Sequence, residues 1–278
     1  MGLHLRQALL INGMLFNSEA WHSLSQTHIE MLEKVDNYFL RSIFKSHSKT
    51  STSFLHLETG TIPIRFIISS RRLNYLHNIL KRNRDEVLQR VYMAQKENPL
   101  EGDFFKLVQH DFELINEKFD EKFIKSLSKN KMKKYVKSKI RKAAFNYLLS
   151  EKDKKSKIKE ISYKKFKLQN YITSNLFSNY EVQVLIKLRS RNIDVKSNFK
   201  THFRNLQCSI NNCSEIEDQQ HILKCKPVLK KLDRKQLIKL SKVKYEYMFS
   251  KTKYQKNLID IIIPVLDMRN SILKEQET

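Results

Sequence analysis

Glycine and proline are scarce in this chain, four of each among 278 residues. Sheet-rich folds turn the chain often and draw on Gly, Pro and Asn to do so, whereas long helices need few such residues. The scarcity excludes a sheet-rich fold and points to a mainly α protein. Cysteine is scarcer still, with three residues, which excludes a secreted disulfide framework. No apolar run reaches the roughly eighteen residues that a membrane-spanning helix requires, so no membrane span is expected. The apolar stretch from Ala8 to Phe16 is interrupted by Asn12 and followed by no small-residue cleavage site, so a signal peptide is not expected either. Arg6 stands where N-myristoylation after Gly2 needs Ser or Thr. An intracellular setting, nucleus or cytoplasm, is the expectation. Gly2, Gly13, Gly60 and Gly102 are isolated, which excludes a phosphate-cradling P-loop, a dinucleotide fingerprint and a Gly-x-Ser-x-Gly elbow.

Negative charge is the other shortage. Against 53 basic residues the chain carries 29 acidic ones, a net charge of +24. Such a surface attracts polyanions and repels itself if uncompensated. Nucleic acid is the first candidate partner and an anionic membrane surface the second, beside a lysine-rich surface of no special function. A hydrophobic content of 40% supports a folded core in one large domain or two smaller ones.

Periodicity places the elements. The apolar segment from Arg6 to Trp21 predicts a buried helix. Ser25 or Thr27 can cap a second helix, along which Ile29, Leu32, Val35, Phe39, Leu40 and Ile43 recur at helical spacing. Ser46 to Ser53 predicts a loop, and Pro63 suits the first turn of a third helix with Phe66, Ile67, Leu73, Leu76, Ile79 and Leu80 inward. Val87 to Gln95 continues as helix until Pro99 and Gly102. Between Lys129 and Lys167, sixteen Lys or Arg face only Glu151, Asp153 and Glu160, giving +13 of the net +24. Met132, Val136, Ile140, Ala143, Ala144 and Tyr147 form an apolar stripe there, with Lys133, Lys134, Lys137, Lys139, Arg141 and Lys142 on the remaining surface. This predicts an amphipathic helix with a cationic face. Lys152 to Lys159 predicts a loop and Tyr180 to Arg191 a helix, followed by an irregular stretch to Gln207. Lys230 to Met248 and Gln255 to Leu273 are the expected closing helices, the latter bent or started near Pro264. Three consecutive segments follow: a bundle over 1–102, a basic helical region over 103–200 and a Cys/His region with closing helices over 201–278.

All three cysteines fall in one short segment around a histidine, as Cys208-x4-Cys213-x7-His221-x3-Cys225. Soft and borderline donors at this spacing can surround Zn²⁺ tetrahedrally. His221 and Cys225 are i and i+4, so a short helix would place both on one face. Three thiolates and one imidazole leave no open position, so the expected ion is structural and not hydrolytic. It would order a polar segment that has little core of its own.

Other residues carry a resemblance. Leu15-Phe16-Asn17-Ser18-Glu19-Ala20-Trp21 is followed by Leu32-Glu33-Lys34-Val35-Asp36, by Leu40-Arg41-Ser42-Ile43 and by Leu57-Glu58-Thr59-Gly60-Thr61-Ile62-Pro63-Ile64-Arg65. Arg71-Arg72-Leu73-Asn74-Tyr75-Leu76, the Cys/His cluster, Tyr245-Glu246-Tyr247-Met248-Phe249 and Asp267-Met268-Arg269-Asn270 come next. Individually short, these motifs in this order resemble the region beyond the palm of non-LTR (LINE-type) retrotransposon reverse transcriptases, over about residues 6 to 273. The resemblance implies a helical, thumb-like bundle, a basic linking region and a small CCHC zinc knuckle gripping template RNA or target DNA.

Those polymerases hold two Mg²⁺ on an Asp-Asp pair, and this sequence contains no Asp-Asp pair. The resemblance implies a chain beginning after that box, with Met1 not the ancestral start and no catalytic residues. A nucleic-acid-binding, non-catalytic chain is expected, with Lys133, Lys134, Lys137, Lys139, Arg141 and Lys142 on phosphates and Arg189 and Arg191 as further contacts. Each could instead lie on a solvated helix face. A polymerase subunit completed by a separate palm, a residual endonuclease and a host-recruited zinc-dependent interaction protein are the alternatives. Asp233-Arg234-Lys235 offers the Asp-x-Lys element of such nucleases without a Pro-Asp partner, and Asp233 is expected as a helix-surface charge.

Overall fold

Helices form where apolar residues recur every three or four positions, and in this chain they do so almost throughout. The computed structural model describes residues 2–211 and 213–277; Met1 lies outside them. About 65% is helical, and strand pairing among the described residues is limited to one antiparallel bridge between Gln207 and Ile216. The fold is mainly α, as composition requires. The chain forms two compact units, each assembled from separated stretches, so the sequence boundaries at 102 and 200 do not coincide with the limits of either.

The first unit comprises Met1–Ile43, Gly60–Glu151 and Lys165–Lys167. Its central helix, Ile64–Leu80, packs against Gln26–Ile43, Val87–Glu97, Phe104–Leu114 and Glu121–Ser126. Pro63 stands immediately before it as N-cap, and Phe66, Leu73, Leu76, Ile79 and Leu80 are buried. Ser25 caps Gln26–Ile43, its Oγ accepting from the His28 N–H at 3.3 Å. Ile11, Leu15, Ile64 and Ile68 form a core on which Trp21, Leu24 and Leu32 pack.

The N-terminal segment departs from expectation. Its helix ends at Met14 instead of continuing to Trp21. Asn17 takes a left-handed conformation (φ 55°), which Asn tolerates, and Phe16 is left exposed. Residues Arg6–Ile11 are wound as a wider π-helix. Arg6 itself is buried, because it donates to both oxygens of buried Asp36 at 2.5 and 2.6 Å.

Helix Phe104–Leu114 was not anticipated, although Phe105, Val108 and Phe112 bury at three- and four-residue spacing. Its rings join Tyr92 and Phe119, with centroid separations of 5.9 Å for Tyr92–Phe105 and 5.1 Å for Phe112–Phe119. Those tilted arrangements favour the ring quadrupoles as well as burial.

The second unit comprises Phe44–Thr59, Lys152–Lys164 and Leu168–Thr278. Its spine, Thr252–Glu277, contacts Asn179–Arg189, Lys226–Lys231, Arg234–Ser241 and the 3₁₀ turns at Tyr245–Phe249 and His221–Leu223. Pro264 lies inside this helix and neither starts nor ends it; it withholds one N–H from the ladder, and the dense apolar packing of Leu258, Ile259, Ile261, Ile262 and Val265 carries the helix through. The expected loop after Lys152 begins later, since the cationic helix continues to Asp153. Buried Lys152 turns inward, its Nζ donating to the carbonyls of Lys159 and Ile161 at 2.8 and 2.9 Å.

Lys230 to Met248 is not one helix. Lys226–Lys231 stops, and Asp233 starts Arg234–Ser241 with a reciprocal capping box: its carboxylate accepts from the Gln236 N–H at 2.7 Å, and the Gln236 side chain accepts from the Asp233 N–H at 3.0 Å. Asp233 is therefore an exposed helix charge that also serves as the cap. Asp233→Ala is expected to cost about 1 kcal/mol, and Asp233→Asn only a few tenths, because Asn caps as well as Asp. Urea midpoints of the two variants check this, and equal losses would rule the cap out.

Candidate metal centre and cationic helix

The segment around the cysteines is mostly polar, with Ile210, Ile222 and Leu223 its buried apolar residues, so much of its shape depends on hydrogen bonds. The Cys208 N–H donates to the Glu215 carbonyl at 2.8 Å and the Glu217 N–H to the Leu206 carbonyl at 2.8 Å, closing a tight reversal. The Cys213 N–H donates to the Ile210 carbonyl at 3.2 Å and so turns its side chain toward the same side. Asp218 accepts from the His221 N–H at 2.6 Å and starts the 3₁₀ turn His221–Leu223. The next helix starts at Lys226 with Pro227 in its first turn, leaving Cys225 extended as N-cap (φ −62°, ψ 105°). His221 and Cys225 are thus brought together by a 3₁₀ turn and a cap, not by the α-helical turn that their spacing predicts.

Cys208, Cys213, His221 and Cys225 form a cluster whose donor atoms all lie within 4.8 Å of one another, an arrangement that could hold a metal ion and is compatible with zinc. The Cys208 and Cys225 sulfurs are 4.0 Å apart, and the Cys213 sulfur is 3.3 Å from His221 Nε2. Zn–S and Zn–N bonds of about 2.3 and 2.0 Å put tetrahedral neighbours about 3.5–3.8 Å apart. Both distances need change by only a few tenths of an ångström. The hydrogen bond with Cys225 holds the Cys208 thiol below the ordinary range, and the same contact with burial pushes Cys225 above it. His221 and Cys225 are buried, and the residues Cys208 and Cys213 are half-buried.

Outside the donors, Glu217 is the anchor that the sequence did not reveal. It is 1% exposed. One oxygen accepts from Ser209 at 3.0 Å, and the other is paired with Arg269 of the spine, whose Nε lies 3.1 Å away. Arg269 belongs to one of the quoted motifs, but nothing local to it indicates a partner 52 residues away.

The cationic residues separate into three situations. On Lys129–Asp153 the stripe Met132, Val136, Ile140 and Ala144 is buried, while Ala143 and Tyr147 at its margins are half-buried. Lys133, Lys134, Lys137 and Lys142 are exposed, and none forms an ion pair among the described residues. Lys133, Lys134 and Lys137 fall within an arc of about 100°, with Lys142 further round. Lys139 and Arg141 are already engaged. Lys139 pairs with Glu117 and sits 5.6 Å from the Tyr135 ring centroid; its hydrogen bond holds the Glu117 carboxyl below the usual carboxylate range. Arg141 donates to the Phe166 carbonyl and lies 4.8 Å above that ring. Arg191 is partly exposed and paired with Glu160 at 2.8 Å.

Arg189 is a correction. It is 5% exposed and cannot meet a phosphate. Its Nη2 and Nε donate to Glu58 Oε1 at 2.7 and 3.1 Å, and its Nη1 donates to the Met248 carbonyl at 2.6 Å. Fully buried Glu58 also accepts from the hydroxyls of Tyr163 and Tyr171 at 2.5 and 2.6 Å. Burial opposes the Arg189 charge, but Glu58 and the two phenols outweigh it and hold the guanidinium above its ordinary value. Burial and Glu58 likewise raise both tyrosines. Its place in a basic chain made Arg189 look like a surface contact, whereas its helix points it into a fully satisfied polar core.

Compared with protein-family models, with curated proteins and with solved structures, the chain matches none.

Proposed function

We propose that the chain binds nucleic acid without catalysing a reaction on it, as a segment of the kind that follows the palm in non-LTR (LINE-type) reverse transcriptases. One observation carries the reading: four lysines, Lys133, Lys134, Lys137 and Lys142, stand exposed on a helix fixed by its buried stripe and form no ion pair among the described residues, only Lys142 lying near enough to Glu117 to act on its carboxyl. Cations displayed on a fixed helix give phosphate affinity without sequence choice. The order of the short motifs and the absence of an Asp-Asp pair support the same reading. In it, Cys208, Cys213, His221 and Cys225 hold one structural Zn²⁺, which would supply a fixed knuckle able to meet unstacked bases.

Salt titration tests it. Four phosphate contacts give a slope of log K against log salt of about −3.6 on duplex DNA and about −2.8 on single strands. Reversing Lys134, Lys137 and Lys142 to Glu should weaken binding to all sequences alike and flatten the slope toward zero. An unchanged slope in the triple variant, or tighter binding to anionic vesicles than to nucleic acid of equal charge, would refute the reading.

A further inference from the structure

The turn that ends the N-terminal helix presents an aromatic ring to solvent although the chain on both sides of it is buried. Leu15 and Ser18 have no solvent exposure, whereas Phe16 is 80% exposed. The turn is fixed from beneath. The Arg71 guanidinium donates to the Leu15 carbonyl and to Ser18 Oγ, and the Phe16 and Ser18 N–H groups donate to the Gly13 and Leu15 carbonyls at 3.3 and 3.1 Å. Left-handed Asn17 completes it. Ordered neighbours therefore hold the Phe16 ring in water.

Phe16 lines a groove of about 570 Å³ bounded by this turn, the helix Ile64–Leu80 and the cationic helix Lys129–Asp153. Asn12, Asn17, Asn74 and Asn78 line it too, with Lys133 on the cationic side. These side-chain amides keep unused hydrogen-bonding capacity. Those of Asn17 and Asn78 meet no partner among the described residues. Asn74 Nδ2 donates to the Ser70 carbonyl at 2.6 Å, which orients the amide and leaves its oxygen open. Asn12 Oδ1 lies 3.4 Å from Gln7 Nε2, which leaves the Asn12 Nδ2 open. A second hollow of about 360 Å³ shares Ser70 and Arg71 with the first and is bordered by Lys137, one helical turn from Lys133. Glu19 is the one carboxylate lining either of the two.

We propose that this groove takes the unstacked bases of a single nucleic-acid strand, with Phe16 as the stacking platform. The proposal rests on the nucleic-acid reading of the cationic helix and adds the form of nucleic acid that the chain selects. An aromatic face accepts any base, and a side-chain amide offers a donor and an acceptor to a base edge. In a duplex the base faces are stacked and the pairing edges occupied, so neither group finds its partner there. Lys133 and Lys137, on one face of their helix, stand where the two hollows meet the cationic surface and hold the backbone of the strand by its phosphates.

The test titrates the full chain at constant salt with oligothymidylate about 12 nucleotides long, with an abasic strand of the same length and charge, and with the duplex of the same oligothymidylate. The thymine strand should bind about tenfold tighter than the abasic one, the size of one base–aromatic stack. Phe16→Ala, at an exposed position that leaves the urea midpoint unchanged, should abolish that difference and leave duplex affinity as it was. Phe16→Trp should keep the difference, and its added indole fluorescence should be quenched on saturation, beyond any change from Trp21, the one tryptophan of the unmutated chain. Reversing Lys134, Lys137 and Lys142 to Glu should weaken all three ligands together, which separates the charge of the helix from the stacking of the groove. Equal affinity for the thymine and abasic strands, or a preference that survives Phe16→Ala, overturns the groove while the reading of the helix stands. Absence of binding to any of the three overturns both. An acidic peptide of equal charge that binds as tightly as the thymine strand would likewise overturn the groove as a site for bases.

Discussion

Glu58→Gln lowers the stability of the second unit by about 3–5 kcal/mol, the cost typical of stranding one partner of a buried ion pair. Glutamine keeps the shape and can still accept from Tyr163 or Tyr171, but it leaves Arg189 charged without a counter-charge in a site 5% exposed. The loss should appear as a lower urea midpoint and as faster amide exchange along Asn179–Arg189, the helix that carries Arg189. Replacing the whole network, Glu58→Leu with Arg189→Met, Tyr163→Phe and Tyr171→Phe, should recover more than half of it, because apolar side chains of similar volume leave neither a buried charge nor a stranded hydroxyl. A midpoint unchanged by Glu58→Gln would mean that Arg189 finds another anion or water, and that the network is dispensable.

Loss of a metal ligand is the second large effect. Structural zinc sites contribute apparent free energies of about 10–16 kcal/mol to the segments they order, and the stretch around Cys208, Cys213, His221 and Cys225 has few apolar residues to replace that term. Freshly purified chain should carry one zinc, while Cys213→Ser or His221→Ala should release it and unprotect the amides between Leu206 and Cys225. Elemental analysis giving less than about half an equivalent in the unmutated protein would sink the assignment. Should zinc be present yet survive Cys213→Ser, the ligand set is wrong even though the metal is right.

Legibility followed the range of the interaction. The stripe on Lys129–Asp153 was plain because residues three and four apart on one helix share a face whatever else the chain does. The clustering of Cys208, Cys213, His221 and Cys225 was plain because few other reasons gather three cysteines and a histidine in so short a segment. Helix Phe104–Leu114 had its signal in Phe105, Val108 and Phe112, diluted by the charged residues between them. Glu58 and Arg189 gave no such signal. Each has an ordinary charged side chain in an ordinary helix, and their meeting depends on how separated stretches fold together. The same holds for Glu217 with Arg269. Asp233 keeps its expected place on a helix surface but also caps that helix, and Pro264 lies inside a helix that it does not start: a cap and a proline punctuate helices only when packing agrees.

The separation of Glu58 from Arg189, 131 residues, sets a clock on synthesis. At about 5–20 residues per second, the ribosome delivers Arg189 roughly 7–26 s after Glu58. Through that interval a carboxylate destined for complete burial stays in water, and the helix Thr52–Thr59 around it lacks its principal partner. The nascent second unit cannot close from its beginning; it waits for its latest parts. Prematurely terminated products that stop before Arg189 therefore leave Glu58, which has no solvent exposure in the folded chain, without its counter-charge, and such incompletely closed products are the ones that chaperones and proteases meet.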